Sequence, residues 1–185
     1  QQTVMVSFES DYNNGAHPSV LKHLILTNEE QSSSYGSDRF SENARKLIRE
    51  ACSCPDADIF FLVGGTQTNS TVISTLLRPY EGVISVPSGH IAVHEAGAIE
   101  ITGHKVLEIP GKNGKIVPKE LESELNRMEE DPNGCHMVIP GMVYITFPTE
   151  YGTLYSASEI KAIHDICRRH NLLLYVDGAR LGYGL

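Results

Sequence analysis

The sequence predicts an α/β protein with a mostly parallel sheet and helices on both faces. Short apolar runs of strand length alternate with stretches of helical periodicity, which is the pattern of βαβ units. The predicted strands span residues 58–63, 83–86, 105–109, 142–147 and 172–176. Because ligands bind beyond the carboxyl ends of the strands in such sheets, residues that follow a predicted strand are candidates for a functional site.

Two helices precede the first predicted strand. Pro18 suits the first turn of a helix over 18–26. A longer helix over 38–51 carries apolar residues at helical spacing, namely Phe40, Ala44, Leu47, Ile48 and Ala51. The apolar run 58–63 is continuous, as in a strand that is buried on both faces. A helix over 66–77 follows it and ends before Pro79.

The second half of the chain continues the alternation. Helices are predicted over 91–99 and over 118–128, the latter with Pro118 at its start. Ser156 or Ser158 caps a last helix that runs to about His170. One face of that helix is apolar and consists of Ile160, Ile163, Ile166 and Cys167. The strand over 172–176 closes the series.

Composition limits the possible functions. The net charge is −8, which disfavours a nucleic-acid surface, and no apolar run approaches the roughly 20 residues of a membrane helix. The N-terminus lacks the features of a signal peptide, and the four cysteines fit reduced thiols, so we expect a cytoplasmic protein without membrane or nucleic-acid partners. We predict an N-terminal arm with helices over 1–55 and a sheet domain over 56–185.

A glycine-rich turn follows the first predicted strand. Gly64 and Gly65 allow a ligand close to the backbone, and the helix that Thr66 opens has free N–H groups that favour an anion such as phosphate. The Thr66 hydroxyl and the Gln67 amide add possible hydrogen bonds. The alternative is a plain strand–turn–helix in which the glycines serve geometry alone.

A carboxylate and a guanidinium follow the last predicted strand. Asp177 ends an apolar run, and a buried carboxylate needs a partner such as the protonated nitrogen of a heteroaromatic ring. Together with the phosphate turn, Asp177 and Arg180 suggest pyridoxal 5'-phosphate (PLP) as the cofactor. The alternative for Asp177 is a surface pair with Arg180 or a helix cap.

Two further candidates follow predicted strands. His90 can stack on a cofactor ring or act as an acid or base, and its alternative is a structural role. His94 stands four residues later, but no third ligand is evident, so we expect no metal site. Glu150 is either a second polar group of the site or a solvated loop carboxylate. Ser10 and Tyr35 lie in polar turns that can bind substrate.

In order along the chain, five motifs resemble the threonine aldolase branch of fold type I PLP enzymes, which includes the β-eliminating lyases. The motifs are Ser10-Asp11, Tyr35-Gly36-Ser37-Asp38, Gly65-Thr66-Gln67-Thr68-Asn69, the His90 segment with Glu95-Ala96-Gly97, and Asp177-Gly178-Ala179-Arg180. The resemblance implies the large domain of a PLP-dependent transferase-like fold without its small C-terminal domain. It also implies a homodimer or homotetramer that cleaves threonine or allo-threonine to glycine and an aldehyde.

The resemblance also assigns roles. Gly65, Thr66 and Gln67 would hold the phosphate, His90 would stack on the ring, and Asp177 would pair with the pyridine nitrogen. The role of Arg180 would be to bind the cofactor phenolate or the substrate carboxylate. Ser10 and Tyr35 would contribute to substrate binding.

Two departures from the family pattern stand out. Glu150 replaces a histidine of some members, so the catalytic base is left between His90, Glu150 and water. The last lysine is Lys161, whereas the family's Schiff-base lysine follows the segment at Asp177, so we expect it beyond Leu185 and expect these residues alone to be inactive. A PLP-dependent β-eliminating lyase and a non-catalytic PLP-fold subunit are the alternative functions.

Overall fold

The computed structural model describes Ser7 and residues 9–185. The chain divides into two compact units, Gln1–Phe61 and Leu62–Leu185, a boundary six residues later than the sequence-based division at 55/56. Within the described residues, no helix combines the length and the apolar character that a bilayer crossing requires.

The first unit contains two helices and the segments attached to the second one. Helix α1 spans Pro18–Thr27 and helix α2 spans Arg39–Ala51, with Asp38 as the N-cap that accepts hydrogen bonds from two backbone N–H groups. Arg45 donates to the carbonyls of Gly36 and Ile59 at 2.8 and 3.2 Å. Arg45 of α2 therefore holds the chain segments before and after the helix in place.

The apolar run over residues 58–63 does not form the predicted strand. These residues have no regular secondary structure, and Phe60 and Val63 are 80% and 93% exposed. A strand needs a neighbour to pair with its backbone, and local composition does not reveal whether one is present. The prediction of a buried first strand is therefore wrong for the described part of the chain.

The second unit is built on a parallel sheet in the order β2-β1-β5-β6. Its strands are β1 (Glu81–Ser85), β2 (Val106–Glu108), β5 (Ile139–Thr146) and β6 (Leu173–Asp177). Its helices are α3 (Gly65–Leu76), α4 (His90–Val93), α5 (Pro118–Glu130), α6 (Ala157–Arg169) and α7 (Leu181–Gly184). Single 3₁₀ turns lie at Glu100–Thr102 and Gly134–His136.

Helices pack on both faces of this sheet, as the sequence predicts. On one face, α3 packs with Ile73 against a cluster that includes Val83, Met142 and Tyr144. On the other face, α5 and α6 cover the alternate strand residues. That larger cluster contains Ile84, Val86, Ile109, Ile116, Leu121, Leu125, Val143, Ile145, Phe147, Tyr155, Ile163, Ile166 and Cys167. The alternation follows from the two-residue period of a strand.

Two local features differ from the sequence-based assignment. The predicted helix over 91–99 ends at Val93, because Ala96 and Gly97 adopt left-handed φ angles of 50° and 76°. A two-stranded hairpin, β3 (Gly111–Lys112) with β4 (Lys115–Ile116), was not predicted. Its turn residues Asn113 and Gly114 have φ angles of 53° and 76°, and Asn-Gly between short strands is a sequence signal for such a turn.

Candidate active site

Strand alternation and register place three polar side chains on one face at the carboxyl ends of β5 and β6. Tyr144 stands opposite Tyr175 in the parallel pairing, and Asp177 lies two residues after Tyr175. Because side chains two residues apart share a face, all three point toward the α3 side of the sheet. The two tyrosine rings meet edge to face, with centroids 5.5 Å apart.

Asp177 accepts three hydrogen bonds from residues that the structure describes. Its Oδ2 accepts from the Tyr144 hydroxyl at 2.6 Å and from Asn69 Nδ2 at 3.1 Å, and its Oδ1 accepts from the Ala179 N–H at 3.0 Å. Burial, together with the neighbouring Asp177 charge, raises the pKa of Tyr144 above its ordinary value, so this hydroxyl keeps its proton and donates a hydrogen bond to the carboxylate. The carboxylate is therefore held as an acceptor in a fixed orientation.

Asn69 joins Asp177 to a second carboxylate. It lies on α3 one turn before Ile73, is 2% exposed, and donates through Nδ2 to Glu95 Oε1 at 2.6 Å as well as to Asp177. The Tyr175 hydroxyl donates to Asn69 Oδ1 at 2.6 Å. Burial raises the pKa of Tyr175 to about 12, so Tyr175 is also a donor, and its bond fixes which end of the amide faces the carboxylates.

His90 belongs to the same network. It begins α4 just after β1, and its Nδ1 lies 2.7 Å from Glu95 Oε1. Its side chain is 33% exposed, whereas that of Glu95 is fully buried. Gly89 permits the tight approach of this turn to β1, because an added Cβ would lie 2.2 Å from the Ser85 hydroxyl oxygen. The structure thus connects His90 to Asp177 through Glu95 and Asn69.

The glycine turn precedes this network on the same helix. Gly64 is the N-cap of α3 and, as glycine, offers no side-chain cap, so the first N–H groups of the helix have no partner from the cap residue. Gln67 accepts a hydrogen bond from the Val63 N–H through its side-chain oxygen at 3.1 Å. Gly65 lies four residues before Asn69, which is roughly 6 Å along the helix axis.

The other two candidates of this unit form an ion pair. Arg180 Nη1 lies 3.7 Å from Glu150 Oε2, and the Glu150 side chain is only 14% exposed. Within the described residues, Glu150 Oε1 is buried without a hydrogen-bond partner. Glu150 is therefore a largely buried, charge-paired group rather than a freely solvated loop carboxylate.

Ser10 and Tyr35 lie in the first unit. The Ser10 hydroxyl oxygen accepts from the Tyr12 N–H at 3.4 Å, as in a polar turn. Tyr35 adopts a left-handed φ of 60° and is fully exposed. Their proposed roles in substrate binding stay predictions from the sequence.

The amino-acid sequence matches a family described as Beta-eliminating lyase over residues 8–182. The chain belongs to the beta-eliminating lyase family. Its resemblance to the threonine aldolase branch is confirmed by relatives of that name. A low specificity L-threonine aldolase of a Pseudomonas strain is 32% identical over 94% of this chain and 49% of that protein. Its counterpart in Pseudomonas aeruginosa is 30% identical over 94% of this chain and 49% of that protein.

The fold comparison agrees with the sequence comparison. A solved threonine aldolase from Leishmania major superposes with a TM-score of 0.89 at 45% identity, covering 95% of this chain and 50% of that one. The α/β fold with a parallel sheet is therefore confirmed. The chain spans about half the length of the curated relatives that it matches.

Four residues of this candidate site were not assigned a role from the sequence. They are Asn69, Glu95, Tyr144 and Tyr175. Two signals were available: Asn69 and Glu95 lie inside motifs that resemble the family, and the spacing of Tyr175 and Asp177 in a strand puts them on one face. The pairing of Asn69 with Asp177 joins residues 108 positions apart, and no local pattern indicates it.

Proposed function

We propose that this chain is part of a PLP-dependent aldolase that cleaves L-threonine-like or L-allo-threonine-like β-hydroxy-α-amino acids to glycine and an aldehyde. The single observation that carries the proposal is the hydrogen-bonded carboxylate of Asp177, linked to His90 at the carboxyl ends of the strands. The curated relatives with names of this activity support it.

The residues around the glycine turn suit the phosphate of PLP. A Cβ added at Gly64 or Gly65 meets no other atom within 4 Å, so packing inside the described chain does not require glycine at either position. Bare backbone there gives an anion access to the N–H groups and the positive dipole end of α3. We therefore propose that Gly65, Thr66 and Gln67 hold the phosphate.

Asp177 suits the pyridine nitrogen of the same cofactor. Its two oxygens are held by Tyr144, Asn69 and Ala179, which orients the carboxylate before any ligand arrives. We propose that Asp177 holds a proton at the ring nitrogen. Bound PLP supplies an electron sink for a carbanion at the substrate Cα.

His90, Glu150 and Arg180 are proposed to act on the ring and the substrate. The part-exposed imidazole of His90 is available for stacking on the ring. Either His90 or Glu150 serves as the base that accepts the β-hydroxyl proton, unless water does so. Arg180, paired with Glu150, is proposed to bind the cofactor phenolate or the substrate carboxylate, and Ser10 and Tyr35 are proposed to bind substrate.

Assembly and location follow as further proposals. We propose a homodimer or homotetramer in the cytoplasm. Helix α1 has no buried residue although it contains Leu21, Leu24 and Ile25, which supports an interface with another copy. The four cysteines are free, which supports a reducing compartment. Light scattering of the purified protein measures the number of copies.

The test replaces Asp177 in the whole protein, including any residues that follow Leu185. We expect the wild type to bind PLP and to release aldehyde from L-threonine or L-allo-threonine. Asp177→Asn keeps the size and most contacts but removes the charge, so we expect kcat to fall by at least about 100-fold, as when other preorganised electrostatic partners are removed. PLP binding is measured by absorbance and aldehyde by a coupled assay.

A matched control is Asp165→Asn. Asp165 lies on α6, half-exposed and paired with Lys161, so its loss should leave PLP binding and turnover unchanged. A wild type that does not bind PLP would overturn the proposal. Binding without aldehyde release would favour the alternatives. Release of a thiol, with pyruvate and ammonia after hydrolysis, from a cysteine-like substrate would then separate a β-eliminating lyase from a non-catalytic subunit.

A further inference from the structure

Glu95 is the most deeply buried charged group of the His90–Asp177 network. The residue is 5% exposed and its side chain is fully buried. Oε1 meets both His90 Nδ1 and Asn69 Nδ2, while Oε2 is buried without a hydrogen-bond partner among the described residues. Burying a carboxylate in this way is unfavourable unless its partners offset the lost hydration, so its contacts indicate what it does.

The direction of each hydrogen bond can be worked out from the donors. Tyr175 donates to Asn69 Oδ1, so Nδ2 is the end of the amide that faces Glu95 and Asp177. Both N–H groups of Nδ2 are then used, one for each carboxylate. Glu95 can only accept when ionised, so His90 must bring a hydrogen at Nδ1 to the contact of 2.7 Å.

We propose that Glu95 is the positioning residue of His90: it holds the proton of the neutral imidazole at Nδ1 and leaves Nε2 as the acceptor nitrogen that meets the ligand. Asn69 keeps Glu95 in place by bridging it to Asp177. The inference rests on the proposed function for what Nε2 does there. In that reaction, Nε2 is the atom of His90 that can accept the β-hydroxyl proton.

This assignment favours His90 over Glu150 as the base. Glu150 Oε2 forms an ion pair with Arg180 Nη1 at 3.7 Å, so this oxygen is already engaged by another side chain. The ring of His90 is restrained on the Nδ1 side by a buried acceptor, while its side chain remains 33% exposed for a ligand. A hydrogen bond that fixes the tautomer of a histidine through its second nitrogen is a recurring device in functional sites.

The first experiment reads the tautomer directly and needs neither cofactor nor substrate. Long-range ¹H–¹⁵N correlation spectra of the whole protein, labelled at histidine and without PLP, distinguish Nδ1–H from Nε2–H in the neutral ring. The His90 signal is assigned by its loss in His90→Gln. We expect Nδ1–H in the wild type and in Glu95→Gln, which keeps an oxygen acceptor, and a shift toward Nε2–H in Glu95→Leu.

The second experiment measures turnover of the PLP-loaded protein. Glu95→Leu should lower kcat by about 10- to 100-fold, within the range of general base catalysis, with KM and PLP affinity changed by less than about threefold. Glu95→Gln should recover most of kcat because it keeps the acceptor. Glu100→Gln, a nearby exposed glutamate, is the matched control and should match the wild type.

The outcomes separate the two proposals. A wild type that binds no PLP or releases no aldehyde contradicts the proposed function, whereas the tautomer measured without PLP still tests the role of Glu95. An Nε2–H signal in the wild type overturns the role, as does an unchanged Nδ1–H signal in Glu95→Leu. Equal losses of kcat in Glu95→Gln and Glu95→Leu also overturn it. If Glu95→Leu does not fold, the wild-type tautomer decides.

Discussion

The two faces of the parallel sheet carry different kinds of side chains from the same strands. On the α5/α6 face, residues such as Val143 and Ile145 pack into a largely apolar core. On the α3 face, Tyr144 and Tyr175 pack with apolar neighbours but direct their hydroxyls to Asp177 and Asn69. Neighbouring residues of β5 therefore have different roles: those on one face pack in the apolar core, and Tyr144 on the other face belongs to the polar site.

This difference indicates how the chain combines stability with a polar site. Burial of apolar surface contributes about 25 cal/mol per Å² to the stability of the fold and does not depend on the direction of a contact. The α5/α6 face therefore stabilises the unit through apolar packing, which tolerates few polar groups. The α3 face holds the buried carboxylate of Glu95 and the partly buried carboxylate of Asp177, whose lost hydration must be replaced by hydrogen bonds. We expect substitutions on the first face to change stability alone and those on the second to change ligand binding as well.

The largest expected effect on stability comes from the α5/α6 face. Ile163 on α6 is fully buried, and Ile163→Ala removes its side chain and leaves a cavity. We expect the free energy of unfolding to fall by about 2–5 kcal/mol. Urea unfolding of the whole protein measures the loss, and PLP affinity well below the unfolding midpoint should stay at the wild-type value.

Ile163→Val is the graded control for this change. It removes one methylene group, so we expect a loss of only about 0.5–1.5 kcal/mol. A change in PLP affinity in either variant, measured on folded protein, would contradict the proposal that the α5/α6 face contributes to stability and not to ligand binding.

The second effect compares two buried tyrosines on opposite faces. The Tyr144 hydroxyl donates to Asp177, and the Tyr155 hydroxyl accepts from the Ile116 N–H at 2.7 Å. Tyr144→Phe and Tyr155→Phe each remove the hydroxyl that makes this hydrogen bond and keep the aromatic ring. We expect both to lower the free energy of unfolding by about 1–3 kcal/mol.

Only one of the two variants should change ligand binding. Tyr144→Phe removes one of the donors that orient Asp177, so we expect PLP affinity to fall by about tenfold, which equals about 1.4 kcal/mol. Tyr155→Phe should leave PLP affinity unchanged. Equal PLP affinities in the two variants would contradict the assignment of the site to the α3 face.

Most helices and strands of the second unit could be predicted from the sequence because the signals for them are local. Pro118 at a helix start, Ser156 at a helix cap and the apolar run before Asp177 are all read within a few residues. The run over 58–63 shows the limit of that approach. Its composition predicts a buried strand, but burial depends on a neighbour elsewhere, and these residues are mostly exposed in the described chain.

The site could be predicted only in part, for a related reason. His90, Glu150, Asp177 and Arg180 stand out because they are polar residues at or shortly after the carboxyl ends of strands. Asn69 lies inside a helix and Glu95 lies beyond one, where polar residues are normally solvated. Their roles depend on contacts between residues that are 26 and 108 positions apart in the sequence, and these contacts are set by the packing of α3 against the sheet.

The smallest expected effect sharpens the comparison at the start of α3. Glycine weakens a helix, and the described chain leaves open space around a Cβ at Gly65, so Gly65→Ala should raise the free energy of unfolding by up to about 1 kcal/mol. The same methyl group would obstruct a phosphate at the helix N-terminus, so PLP affinity should fall by about tenfold or more.

Gly134→Ala, at the first position of a 3₁₀ turn with only an ordinary contact at 3.5 Å, is the matched control. It should leave PLP affinity unchanged. A more stable Gly65→Ala protein that binds PLP as tightly as the wild type would show that the phosphate lies elsewhere, because glycine at this position would then serve neither packing nor the ligand.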